Sequence, residues 1–259
     1  MSEHVLIETR DHVMRVTWNR PEKKNALTGA MYAAFAEALD RAASDPAVRV
    51  VLVMGAGDAF TAGNDLKDFA TWGASGSLEA LPVVQAIRGV LAFPKPLVAA
   101  VHGAAVGFGT TLLPHCDAVV ASDSATFSMP FVRLGLVPEF GSSVLLPALA
   151  GRVRASAALL TGEPFGRDAA VAMGLVSEAC ADDVLEAQAM ALCRKLAALP
   201  PGTLRATKAL LRGPEDQARI ERAIQAELEA SAAGLRSEEH REAVTAFMEK
   251  RQPDFSRFA

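Results

Sequence analysis

VHGAAVGFGTTLLPHCD, residues 101–117, carries an apolar strand through Gly103, Gly107 and Gly109 into a helix that Pro114 cuts short. A strand, a glycine turn, a helix and a second strand, DAVVASD at 117–123, follow in the order of a dinucleotide-binding unit. Two details break that match. Leu112 stands where the third glycine is required, and a helix ended by Pro114 is too short for such a crossover. What survives is a strand and a glycine turn that present main-chain amides at a helix start.

Working outward, HVLIETRDHVMRVTW at 4–18 alternates polar and apolar residues around Asp11 and His12, the pattern of a hairpin. In ALTGAMYAAFAEALDRAASD, Thr28 is positioned as an N-cap, and Met31, Phe35 and Leu39 recur every fourth residue as one apolar stripe. RVVLVMG from 49 and PLVAAVHG from 96 are continuous apolar runs of strand length, and strands separated by helices imply a parallel sheet with crossovers. TWGASGSLEALP at 71–82 lacks periodicity and reads as a mobile surface loop. From about residue 150 the pattern is helical, with segments at 152–161, 182–198, 201–212, 214–233 and 237–251. Ser237 followed by Glu238 and Glu239 marks the last helix start.

Half of the 259 residues are apolar, enough for a sizeable buried core. Against 30 acidic residues stand 26 basic ones, a net charge of -4 that supplies no field for nucleic acid, so none is expected as a partner. The charged, alternating N-terminus MSEHVLIETR and the absence of a long apolar run predict neither signal peptide nor membrane span, and a cytoplasmic protein. Cys116, Cys180 and Cys193 are odd in number and lack CxxC spacing, and the five histidines form no HExxH motif, so no disulfide framework and no metal site is expected.

Two further segments carry chemistry. AFTAGNDLKDF at 59–69 follows a strand, and its small residues allow close backbone approach. It reads equally as an Asp-capped helix start at Asp65 or as outward-pointing amides of Gly63, Asn64 and Asp65. In LGLVPEFGSS at 134–143, Glu139 is a lone carboxylate among apolar and small residues. It serves either the dipole of a following helix or a reaction.

In their order these segments resemble the crotonase, or enoyl-CoA hydratase/isomerase, superfamily. NRPEKKNALT at 19–28, AGNDLKDF at 62–69, HGAAVGFGTTLL at 102–113, CDAVVASDSATFSMPFVRLGLVPEFGSS at 116–143, MGLVSEA at 173–179, LPPGTLRATKALL at 199–211 and TAFMEKR at 245–251 carry the match over nearly the whole chain. The resemblance implies an α/β fold, a crotonase-like spiral of ββα units over 1–195, followed by a C-terminal helical trimerisation region over 196–259. It implies an acyl-CoA thioester substrate, coenzyme A entering only as part of it, and a homotrimer or dimer of trimers. By the same match the backbone amides of Asn64 and Phe108 form an oxyanion hole, Phe108 standing where many relatives have Gly. Lys23, Lys24, Ala62, Gly63, Asn64, Asp65, Leu66, Phe247 and Lys250 border the CoA groove, the last two lent by a neighbouring subunit.

The two glutamates of the hydratases are replaced here by Thr111 and Phe131. Glu139 instead matches the single catalytic glutamate of the peroxisomal type of Δ3-Δ2-enoyl-CoA isomerase, and Phe131, Leu136, Val137 and Phe140 are expected to desolvate it. The resemblance thus implies isomerisation of 3-enoyl-CoA to 2-trans-enoyl-CoA. The alternatives it leaves are a hydratase or other enolate-forming crotonase, and a catalytically silent acyl-CoA-binding protein.

Overall fold

The structure is a computed structural model that describes residues 2–65, 68 and 78–258. Strand β1 (Val5–Arg10) pairs antiparallel with β2 (Val13–Trp18), and Asp11 and His12 both take the left-handed conformation between them, φ 52° and 63°. From β2 onward the sheet is parallel: β3 (Val50–Gly55), β4 (Leu97–Val101), β6 (Ala118–Ser122) and β9 (Glu178–Cys180) complete the order β1-β2-β3-β4-β6-β9.

Four strands of this sheet, β2, β3, β4 and β6, each feed a short extended segment in a second layer. β4 runs into β5 (Ala104–Val106), and β6 into β7 (Thr126–Ser128), which pairs parallel with β5 and antiparallel with β8 (Phe165–Gly166). β3 does the same through Thr61, which bridges Ala105, and β2 through Leu27, which bridges Asn64. Repetition of strand, extended segment and helix is the expected ββα spiral rather than a doubly wound sheet.

β3 shows why the sheet is buried. Val51 and Val53 face one core, with α1 (Gly29–Ser44) and α2 (Pro82–Ala92), while Val50 and Leu52 face the other, against α7 (Leu185–Ala197). Thr28 caps α1, its Oγ1 accepting from the Met31 amide at 3.3 Å. The 71–82 segment departs from its reading as a loop: Leu78–Ala80 forms a 3-10 turn and α2 starts at Pro82, with Val83, Val84, Ile87 and Val90 on its buried stripe. Residues 71–77 lie outside the described residues, as does most of the helix expected from Asp65.

The short helix α3 (Phe108–Thr111) ends before a 3-10 turn at Leu113–His115 that contains Pro114, as the sequence requires. Then come α4 (Ser142–Ala150), α5 (Arg152–Thr161), α6 (Arg167–Ala172) and, after α7, α8 (Pro201–Leu211), α9 (Pro214–Gly234) and α10 (Glu238–Met248). Ser237 caps α10 through the His240 amide at 3.0 Å. α9 and α10 return to their own core. α9 packs on α4, and the His240 ring pairs through Nδ1 with Leu134 O at 2.7 Å.

Candidate active site

Two loops meet at the edge of the second layer. Thr61 N donates to Ala104 O at 2.9 Å and Val106 N to Thr61 O at 3.0 Å, so 61–65 runs beside 104–108. Gly63 makes the approach possible: its φ is 85°, and a Cβ there would lie 3.0 Å from Val106 O. Asp65 N is used by Leu27 O and Gly63 N by Thr61 Oγ1, and Gly107 N by Ser128 O. Among the described residues the amides of Asn64 and Phe108 have no backbone acceptor, leaving two donors on adjoining loops, Asn64 on the wall of one cavity and Phe108 directly after Gly107 on the same wall. Gly107, φ 54° and ψ -116°, turns the chain so that Phe108 N opens α3.

Asn25 supports this arrangement from beneath. Wholly buried and at φ 55°, it accepts from Arg20 N and donates to Ala56 O and Ala59 O at 2.8 and 2.7 Å, while its carbonyl receives Thr61 Oγ1. The Tyr32 hydroxyl, projected from α1, donates to Asn64 Oδ1. Phe108 directs its ring into the core, edge-on to Tyr32 with centroids 4.9 Å apart and stacked on Phe140 at 5.5 Å; Phe140 in turn stacks on His115 at 4.0 Å. The Phe108 side chain thus becomes part of a buried ring column.

The cavity is about 760 Å³ and mostly apolar, and Glu139 lines it with Phe131, Leu136, Val137 and Phe140. Glu139 Oε1 is buried with no hydrogen-bond partner among the described residues. Burial first, and the charge of Glu227 second, push the Glu139 carboxyl up to about 7, and the Thr111 hydroxyl works in the opposite direction. Tyr32 is driven well above its ordinary value by burial and then by Glu139, so its hydroxyl stays protonated. A carboxyl raised toward neutrality in an apolar cavity is of the kind that can exchange a carbon-bound proton.

Of the residues singled out from sequence, Lys23, Ala62, Gly63, Asn64, Asp65, Glu139 and Phe247 line this cavity. Lys24 closes the Pro21–Lys23 turn at φ 49° and, like Phe108 and Lys250, is off its wall, and Leu66 lies outside the described residues. Phe247 reaches the cavity of its own chain, because α10 folds back over the site. Tyr32, His115 and Glu227 went unnoticed in the sequence. Glu227 had one signal, an acidic residue on the stripe Ile220, Ile224, Leu228 and Leu235 that packs against the main core.

The enoyl-CoA hydratase/isomerase family model matches residues 8–257. The chain belongs to that family. Within the family it is 39% identical over 222 residues to enoyl-CoA delta isomerase 2 of Rattus norvegicus, covering 83% of this chain and 56% of that longer relative. It is 35% identical over 264 residues to the 1,2-epoxyphenylacetyl-CoA isomerase of Escherichia coli, covering 99% of both. An enoyl-CoA hydratase/isomerase structure from Pseudoalteromonas atlantica superimposes with a TM-score of 0.91 at 38% identity, over 98% of this chain and all of the other. The two loops and the ββα spiral described above are therefore those of a crotonase-fold member of the enoyl-CoA hydratase/isomerase family.

Proposed function

We propose that this family member isomerises 3-enoyl-CoA to 2-trans-enoyl-CoA, with Glu139 as the one proton-shuttling base. The observation that carries the reading is the Glu139 carboxyl in the apolar cavity, its Oε1 buried without a hydrogen-bond partner among the described residues, with Thr111 and Phe131 at the positions that the resemblance gives to the hydratase glutamates. Proton loss from the carbon next to the thioester places charge on its oxygen, which the Asn64 and Phe108 amides hold. The same carboxyl then returns the proton two carbons along, at the gamma position. No water is consumed, so one carboxylate suffices. Lys23 on the cavity wall supplies positive charge for the phosphates of CoA, Arg20 and Arg133 there being paired with Asp65 and Glu163. The isomerase name of the rat relative supports the same choice.

A hydratase would need a second group to position and activate water. Lacking one typically costs on the order of 100- to 10,000-fold, so kcat/KM for 3-trans-enoyl-CoA is expected to exceed that for hydration of a 2-trans-enoyl-CoA of equal chain length by such a factor. A ratio favouring hydration overturns the isomerase reading, and inertness toward both esters with CoA-ester binding retained favours a silent binding protein.

Glu139 is a base only when ionised. With its carboxyl raised to about 7, kcat/KM should rise with pH through about 7 rather than near the ordinary carboxylate range. An acid limb below pH 5 would assign the base to another group.

Assembly as a trimer or dimer of trimers belongs to the same reading. Leu210, Leu211, Val153, Leu160 and Met248 are strongly exposed apolar side chains on α5, α8 and α10. Light scattering at micromolar concentration is expected to give at least three chains per particle, and a stable monomer contradicts it. A cytoplasmic setting completes the proposal, supported by three free cysteines.

A further inference from the structure

Glu227 projects from α9 into the cavity that holds Glu139 and is 6% exposed. Its two oxygens accept the amides of Gly141 at 2.7 Å and Ser143 at 2.9 Å. These belong to the first turn of α4, where a helix leaves its donors open and favours negative charge. Burial raises the Glu227 carboxyl above its ordinary range, while the hydrogen bonds from Ser143 and Gly141 pull it back toward the ionised form. Among the described residues no lysine or arginine forms an ion pair with it, so the amides of Gly141 and Ser143 and the Ser143 side chain balance its charge.

Between the two glutamates lies a tight turn. Glu139 O accepts from Ser142 N at 3.1 Å and from Ser142 Oγ at 2.6 Å, and Phe140 and Gly141 both take positive φ, 61° and 70°. A phenylalanine in that region is strained and persists only where its surroundings hold it. His115 holds one side: burial pushes its imidazole down to about 4, so it is neutral and donates Nε2–H to Phe140 O at 2.8 Å. Glu227 holds the other.

We propose that Glu227 is a positioning residue for Glu139, clasping the amides of Gly141 and Ser143 that end the turn and facing the base with a second negative charge. The proposal rests on the reading of Glu139 as the base. The other titratable groups around this pair are Tyr32 from α1, His115 from the turn after α3 and, lining the cavity, Lys23, Arg133 and the Arg20–Asp65 ion pair. None changes in Glu227→Gln, so any displacement of Glu139 titration reports on Glu227.

In Glu227→Gln, kcat is expected to fall roughly tenfold with KM within about twofold, through a misplaced base. The acid limb of kcat/KM should move down by roughly 0.5–1 pH unit, since removing a neighbouring negative charge lowers the pKa of a carboxyl. Glu227→Asp keeps the charge on an arm too short for both amides, so it should lose kcat while holding the wild-type acid limb. Carbon-13 NMR titration of Glu139 in the unliganded protein should show the same downward displacement in Glu227→Gln and none in Glu227→Asp. A folded Glu227→Gln protein with reduced Tm but an unmoved acid limb and an unmoved Glu139 titration assigns Glu227 a merely structural cap and overturns the proposal. If Glu227→Gln fails to fold, a Glu227→Asp protein with wild-type kcat overturns it instead. A wild-type protein inert on 3-enoyl-CoA sinks the isomerase reading separately, and the NMR titration, which needs no turnover, then decides the role of Glu227.

Discussion

Glu139→Gln is expected to lower isomerisation on the order of 10,000-fold while leaving CoA-ester binding within a few-fold of wild type. The amide preserves the shape of a side chain walled by Phe131, Leu136 and Val137, but it cannot take the alpha proton. Stability should move the other way. A carboxyl raised in the folded state from 4.5 to about 7 stabilises the fold fully below pH 4.5, and this contribution is lost as pH climbs through about 7. Near pH 8 the glutamine variant is therefore expected to be more stable, by roughly 1–3 kcal/mol, a range allowing for partial solvent access to the carboxylate. Thermal unfolding at pH 4 and pH 8 checks the sign. Activity within a few-fold of wild type removes Glu139 from the mechanism.

Asn64→Pro should reduce kcat by roughly 100- to 1,000-fold, because the substitution deletes one of the two amides assigned to the oxyanion. The adjoining amides are already committed, Gly63 N to Thr61 and Asp65 N to Leu27, so no neighbour can stand in. Asn64→Ala is the control that keeps the amide. It forfeits the hydrogen bond from the Tyr32 hydroxyl and is expected to cost far less. Circular dichroism confirms that the proline variant is folded, and normal turnover by a folded Asn64→Pro protein refutes the oxyanion assignment.

Local chemistry made part of this architecture legible. The Thr28 cap, the Asp11–His12 hairpin turn, the buried runs of β3 and β4 and the truncation at Pro114 all follow from residues within a few positions of each other. Strands of two or three residues, such as β5, β7 and β8, are too short for alternation to register, and they exist because of partners far along the chain. The spiral itself came from resemblance rather than pattern. Within the site, Glu139 stood out because its neighbours are apolar. Glu227 did not, because Glu215, Glu221 and Glu229 share its helix and only docking of α9 on α4 buries this one among them. Asn25 is hidden for a similar reason: its contacts at Ala56 and Ala59 lie more than thirty residues away.

The ring column from Tyr32 through Phe108 and Phe140 to His115 crosses the floor between the two halves of the site. One of its members, Phe108, carries an amide assigned to the oxyanion in the proposed mechanism, and another, Phe140, is the immediate neighbour of Glu139, the proposed base. Stacked rings resist sliding and compression as a packed unit. Breathing of the surrounding helices therefore carries donor and base together, like the jaws of a calliper locked at one gauge. On warming, that gauge is expected to hold until the block itself comes apart, so activity and the native fold should be lost in one event, which thermal inactivation and thermal unfolding followed side by side would check.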